Sequence, residues 1–206
     1  MMIQKNDVIL FQGDSITNAF RKPEEINDAY QLGAGYALMC AAHVRARRAG
    51  DDIRFLNRGV SGDTVDKLSA RWQADCIALR PTVVSILNGI NNAISATPLP
   101  DFQNNYRSLL QMTREELPGV RLILCEPFAL PCGLIDASGV ERMRTTQSGV
   151  RSLAAEFDAL FVPLQQHFEN ATRKAPAEYW IYDGIHPTAA GHRLIADAWL
   201  VATEQL

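Results

Sequence analysis

The chain has 206 residues, 47% of them hydrophobic and 21% charged, with a formal net charge of −3, a composition that fits one ordinary globular domain able to bury a sizeable core. It excludes a disordered chain, and without a dense run of Lys and Arg it argues against nucleic acid as a partner. No apolar run approaches the roughly 18 residues of a membrane helix, so no membrane association is expected.

The N-terminus, M-M-I-Q-K-N-D, has neither the length nor the cleavage site of a secretory signal, which makes the cytoplasm the default compartment. Val8 to Gln12 is rich in β-formers and runs straight into Gly13-Asp14-Ser15, so the predicted buried strand delivers a serine to the point where the chain must turn. Asn18 to Gln31, polar and carrying Pro23, reads as a loop over the strand ends. Gly33 to Gly50 has helical apolar spacing and ends at glycine, with Arg45, Arg47 and Arg48 where cations favour a helix C-terminus. Ile53 to Leu56 is a second strand, ending in the glycine turn N-R-G-V-S-G-D-T-V. Two glycines there imply special dihedrals or a close approach. Thr64 to Leu79 reads as one helix, closed by Pro81. Thr82 to Leu87 is a third strand, ending in N-G-I-N-N. Helix follows from about Phe102 to Leu117, then a strand at Val120 to Cys125, a helix from about Val140 to Phe157, a short strand at Leu160 to Val162 and a helix at Leu164 to Arg173. A last helix starts after Pro187 and runs to the C-terminus. This alternation predicts one α/β domain, residues 1–206, built as a three-layer αβα sandwich with a central parallel sheet of about five strands.

In such sheets ligands bind beyond the carboxyl ends of the strands. Three unusual turns fall there, bringing a hydroxyl at Ser15, glycine amides at Gly59 and Gly62, and carboxamides at Asn88, Asn91 and Asn92. A serine nucleophile needs a base. Of His43, His167, His186 and His192, His186 stands apart: it lies in Y-D-G-I-H-P-T, three residues after Asp183, a spacing at which a carboxylate in a compact turn can reach the imidazole. The bland reading makes Asp14, Ser15, Asp183 and His186 ordinary turn and cap residues. The other histidines fall in predicted helices, and Ser61 is the rival nucleophile. The backbone N–H groups of Ser15 and Gly62 and the Asn91 carboxamide could receive an oxyanion, although Asn91 could equally form an Asx turn. Cys40, Cys76, Cys125 and Cys132 are far apart with no C-x-x-C, so neither zinc nor a disulfide framework is suggested.

G-D-S-I-T, N-R-G-V-S-G-D-T, N-G-I-N and D-G-I-H-P-T, in this order along nearly the whole chain, resemble the blocks of the SGNH hydrolases, also called GDSL lipases/acylhydrolases. G-V-S-G-D-T-V-x-x-L-x-x-R-W and D-G-I-H-P-T-A-A-G-H most resemble bacterial carbohydrate acetyl esterases of the acetylxylan esterase type. The resemblance implies a flavodoxin-like fold, with Ser15 as nucleophile, His186 as base, Asp183 as its orienting acid, and Ser15, Gly62 and Asn91 as oxyanion donors. One departure is visible: the family's third block usually reads G-x-N-D, and here Asn92 replaces the acid, which puts the bonds orienting that loop in doubt.

The expectation is a serine esterase that forms an acyl-serine from short acyl esters, acetyl on carbohydrate first among them, and needs no metal or organic cofactor. Asp14, Tyr30, Trp180 and Tyr182 are the expected substrate contacts, with Trp180 and Tyr182 equally readable as core anchors. A lysophospholipase or thioesterase acting on longer chains is the enzymatic alternative, and a non-catalytic carbohydrate-binding protein the alternative of another class. The expected partner is a small ester or acetylated oligosaccharide, and a homo-oligomer is compatible with this shape.

Overall fold

In the computed structural model, which describes residues 2–25 and 27–205, the β-rich runs pair as a sheet and the helical stretches cover its two faces. The chain begins with β1 (Val8–Gly13) and the short α1 (Ser15–Asn18), followed by α2 (Asp28–Leu32) and α3 (Tyr36–Arg47). Next come β2 (Arg54–Asn57), α4 (Val65–Ala70), α5 (Trp72–Asp75) and a 3₁₀ turn at Ile77–Leu79. β3 (Val83–Leu87) leads to α6 (Ile90–Ile94) and α7 (Leu99–Glu116). β4 (Arg121–Cys125), α8 (Ala137–Glu156), β5 (Leu160–Val162), α9 (Gln165–Ala171), α10 (Ala177–Trp180) and α11 (Ala189–Ala202) complete the order.

The sheet is parallel throughout, in the order β2-β1-β3-β4-β5. From β1 the chain crosses to β2 on one side and then returns to place β3 on the other. The strand order therefore reverses at β1, where Gly13 lies opposite Leu87, and a crevice opens there at the carboxyl ends. The period-2 alternation of strands sorts the core into two layers. Ile9, Phe11, Val83, Leu87 and Ile123 face the helices that carry Tyr36, Cys40, Ile195 and Trp199. Leu10, Val84, Ile86, Leu122 and Leu124 face Leu68, Trp72, Phe102, Tyr106 and Val150. Each fully buried tryptophan finds a partner for its N–H: Trp199 Nε1 donates to Ser85 Oγ at 3.0 Å and Trp72 Nε1 to Thr113 Oγ1 at 2.9 Å. Without those acceptors each buried indole would forfeit about 1–3 kcal/mol.

The five expected strands are present within a residue or two of their expected ends. The expected helix from Thr64 to Leu79 is broken instead into α4, α5 and the 3₁₀ turn. Arg71, at the first break, turns its guanidinium inward to Asp63 Oδ2 (2.7 Å), Gln12 Oε1 (3.1 Å), the Gly13 carbonyl (3.3 Å) and Asp75 Oδ2 (3.0 Å). The expected loop from Asn18 to Gln31 contains the start of α2, and N-G-I-N-N opens α6 rather than a turn. Ile26 in that loop lies outside the described residues. The last helix ends at Ala202, short of the expected C-terminus.

Candidate active site

β1 ends in the crevice and the chain turns at once into α1, so Ser15 is the first helical residue beyond a strand. Asp14 makes the turn possible, its Oδ1 accepting the Ile16 N–H at 3.0 Å as an N-cap. The other half of the constellation comes from the loop before α11. Tyr182 N donates to the His186 carbonyl (3.1 Å) beside an antiparallel bridge between Ile181 and Pro187. Inside that closed loop Asp183 Oδ1 accepts the N–H groups of Ile185 (3.1 Å) and His186 (2.8 Å), while Oδ2 lies 2.6 Å from His186 Nδ1. His186 Nε2 lies 2.8 Å from Ser15 Oγ, 171 residues away in sequence. Burial alone would raise the Asp183 carboxyl, but the N–H groups of His186 and Ile185 and the imidazole outweigh it and hold it below the usual carboxylate range. An ionised Asp183 keeps the ring proton on Nδ1, which leaves Nε2 as the acceptor for the serine hydroxyl.

The second glycine turn lies against this pair. A Cβ at Gly59 would collide with the backbone nitrogen of Asn18, whereas Gly62 has open space and a left-handed φ of +82°. Gly59 therefore serves close packing and Gly62 a backbone conformation. Asn57 binds the two segments together: Nδ2 donates to the carbonyls of Thr17 (2.6 Å) and Leu32 (2.8 Å), and Oδ1 accepts from Gly59 N (2.8 Å). Asn91 Nδ2 donates to the Asp63 carbonyl at 3.0 Å, beside Asn88 Nδ2 at 3.1 Å on the same oxygen. A carboxamide nitrogen carries two hydrogens, so this bond fixes the Asn91 side chain and leaves one N–H to give. The doubt raised by Asn92 is resolved by its oxygen. Buried Asn92 Oδ1 accepts the Val65 N–H at 3.0 Å at the start of α4, an acceptor role for which a neutral amide suffices.

Ser15, Ile16, Ala19, Phe20, Ser61, Tyr182, His186 and His192 are among the residues lining a cavity of about 270 Å³. Ser61 shares this cavity, but the imidazole bonds to Ser15. Tyr182 lines it, stacked on the His186 ring at 5.8 Å and 16°. Tyr30 and Trp180, expected as substrate contacts, do not line it. Tyr30 lies under the Lys22 ammonium, and Trp180 donates its Nε1 hydrogen to the Ala175 carbonyl and packs on the core. Asp14 is a clear correction: it is fully buried, so its carboxyl caps α1 and cannot touch substrate. Burial, opposed in part by Ile16 N–H and His186, pushes this carboxyl up to about 7, and its Oδ2 has no hydrogen-bond partner among the described residues. His43 Nε2 sits 2.9 Å from the Gln205 carbonyl and His167 is exposed on α9.

Sequence reasoning gave His192 no role, yet it shares the cavity. Its Nδ1 accepts the Tyr36 N–H at 3.2 Å, and burial, aided by His186, lowers the ring to about 4. A neutral ring with Nδ1 as acceptor carries its proton on Nε2. Phe20, Asn57 and Arg71 were likewise missed. A larger groove of about 450 Å³ lies elsewhere, between α8 and α9, but its polar side chains bond to one another, as Gln147 does to Gln165 and Arg151 to Glu126, and no histidine lines it.

Residues 11–194 match the GDSL-like lipase/acylhydrolase family. The chain belongs to that family. It is a carboxylic ester hydrolase. By sequence it is 34% identical to an acetylxylan esterase of Geobacillus stearothermophilus over 97% of this chain and 95% of that one. By structure it matches a GDSL-like lipase homologue from Parabacteroides merdae with a TM-score of 0.93 at 37% identity, covering 99% of this chain and 98% of that one. The acetylxylan esterase Axe2 of G. stearothermophilus follows at 0.89 and 31%, covering 98% and 96%. LAE5, an α/β hydrolase from a lake metagenome, matches at 0.86 and 32%, covering 100% and 99%. The five-stranded parallel sheet puts Ser15 just beyond the end of β1, where the strand order reverses.

Proposed function

We propose that the chain, acting as one catalytic unit over its whole length, removes acetyl groups from carbohydrate by a Ser15-His186-Asp183 triad. The observation that carries the reading is the chain of contacts from Ser15 Oγ through both nitrogens of His186 to Asp183 Oδ2, at 2.8 and 2.6 Å. His186 Nε2 takes the hydroxyl proton as Oγ attacks the ester carbonyl. The N–H of Ser15, which as the first helical residue has no intrahelical acceptor, receives the oxyanion together with the N–H of Gly62 and the spare hydrogen of Asn91 Nδ2. As the tetrahedral intermediate collapses, the C–O bond to the sugar breaks and His186 returns the proton to the departing alkoxide. Water then repeats the sequence on the acyl-serine, releasing acetate and restoring the hydroxyl.

Acetylated carbohydrate is favoured because a relative 34% identical to this chain is an acetylxylan esterase and because the cavity beside Ser15 is small, at about 270 Å³. No helix among the described residues is long and apolar enough to cross a membrane. Cytoplasmic placement is supported by four buried cysteines held as free thiols. The substrate reading is tested by comparing p-nitrophenyl acetate, p-nitrophenyl octanoate and acetylated xylo-oligosaccharides. The acetyl substrates should give the higher kcat/KM, and a preference for octanoate would overturn the assignment.

A further inference from the structure

Helix α1 closes on two consecutive residues in left-handed backbone, Ala19 at φ +40° and Phe20 at φ +60°, where glycine or asparagine would be the unstrained choice. The conformation is held from several sides. Phe20 N donates to Asn18 Oδ1 (3.1 Å), Arg21 N to the Asn18 carbonyl (2.8 Å) and Ala34 N to the Ala19 carbonyl (2.8 Å). Asn18 Nδ2 and Arg21 Nε both donate to the Gly59 carbonyl, at 3.1 and 2.8 Å. Having been forced into this backbone, the phenylalanine buries little in return: it is 89% exposed. Packing gives no reason for a ring at this position, and unrelieved strain of this kind gathers where a ligand binds. The ring also lines the cavity of Ser15 and His186. The other aromatic there, Tyr182, already has one face against the imidazole.

We propose that Phe20 is the platform on which the sugar ring of the leaving group packs while its acetyl ester is held at Ser15. The proposal rests on the acetylated-carbohydrate reading above. A long acyl chain needs an enclosing groove, whereas a ring this exposed offers contact on one side, which suits a pyranose whose opposite face stays hydrated. The same cavity contains His192, whose Nε2 hydrogen is free to meet a sugar hydroxyl once Nδ1 is engaged by Tyr36.

The test measures kcat/KM on an acetylated xylo-oligosaccharide and on p-nitrophenyl acetate for the wild type, Phe20→Gly and Phe20→Tyr, with Tm for each. The ratio of the two values should fall roughly tenfold in Phe20→Gly, mainly through KM on the oligosaccharide, and stay near wild type in Phe20→Tyr. Because glycine relieves the left-handed backbone, Phe20→Gly should melt no lower than wild type. An unmoved ratio, or an equal loss in the glycine and tyrosine variants, would overturn the platform. A wild type inactive on the oligosaccharide would overturn both the platform and the substrate reading, whereas an active wild type with an unmoved ratio would overturn the platform alone.

Discussion

At the residue level, the proposed chemistry rests on two short side-chain contacts and three N–H groups, of which the Asp183 contact and the Asn91 donor can each be removed by substitution. Asp183→Asn leaves the shape of the loop but takes away the charge that fixes the His186 tautomer, so turnover should fall by about 10⁴. Asn91→Ala removes one oxyanion donor and should lower kcat by about 10²–10³. Circular dichroism and Tm should remain close to wild type for both. Full turnover by the Asn91 variant would remove that carboxamide from the site. The convergence of Ser15, Asp183 and His186 was legible in the sequence because a strand-end serine and an Asp-x-x-His turn each have a local signature. Phe20 was not, because nothing in the pair Ala-Phe announces a positive φ; that conformation is imposed by bonds from Asn18, Ala34 and the second glycine turn. The full burial of Asp14 was equally hidden, since a Gly-Asp-Ser turn looks solvent-facing until neighbouring strands cover it.

At the level of elements, the strand ends are aligned by their loops bonding to one another. Val60 N donates to the Gly13 carbonyl at 3.0 Å and Arg58 N to the Phe11 carbonyl at 2.9 Å, so the second glycine turn is an extension of the β1 edge. The two glycines of that turn should consequently respond differently to substitution. Gly59→Ala drives a methyl into the Asn18 backbone and should destabilise by about 3 kcal/mol, the upper end of ordinary overpacking. Gly62→Ala meets no atom and pays only for left-handed backbone, about 1 kcal/mol. Urea unfolding of the two variants checks this order, and equal losses would contradict it. The strands were readable from β-branched runs, whereas the break of the predicted 64–79 helix was not. No glycine or proline marks it; Arg71 makes it, by bonding to Asp63 in the glycine turn and to Gln12 and Gly13 on β1, which are remote in sequence. Likewise α6 is capped by Gly89, φ +119°, where the sequence N-G-I-N-N suggests only a turn.

At the scale of the whole molecule, two buried titrating groups act on stability in opposite directions. Asp14 is raised from 3.8 to about 7, so the native state holds its proton more tightly than the unfolded chain does; the stability it contributes is full below pH 3.8 and is lost as pH rises towards 7. His192 is lowered from 6.5 to about 4, and its contribution is full above pH 6.5 and lost as pH falls towards 4. The two effects, on the order of 4 and 3 kcal/mol, largely cancel between pH 4 and 6.5. Asp14→Asn retains a capping oxygen and removes one of them. Its unfolding free energy should therefore rise more steeply with pH over that interval than that of the wild type. Parallel curves would show that folding does not raise the Asp14 carboxyl.

The proposed triad requires that one serine, Ser15, be made nucleophilic by His186. A serine-directed fluorophosphonate followed by peptide mass mapping tests it most directly, on the wild type and on the Ser15→Ala and His186→Ala variants. The expected result is a single adduct on Ser15 in the wild type, none in Ser15→Ala and labelling slowed by several orders of magnitude in His186→Ala. An adduct on Ser61, or undiminished labelling and turnover in Ser15→Ala, would contradict it.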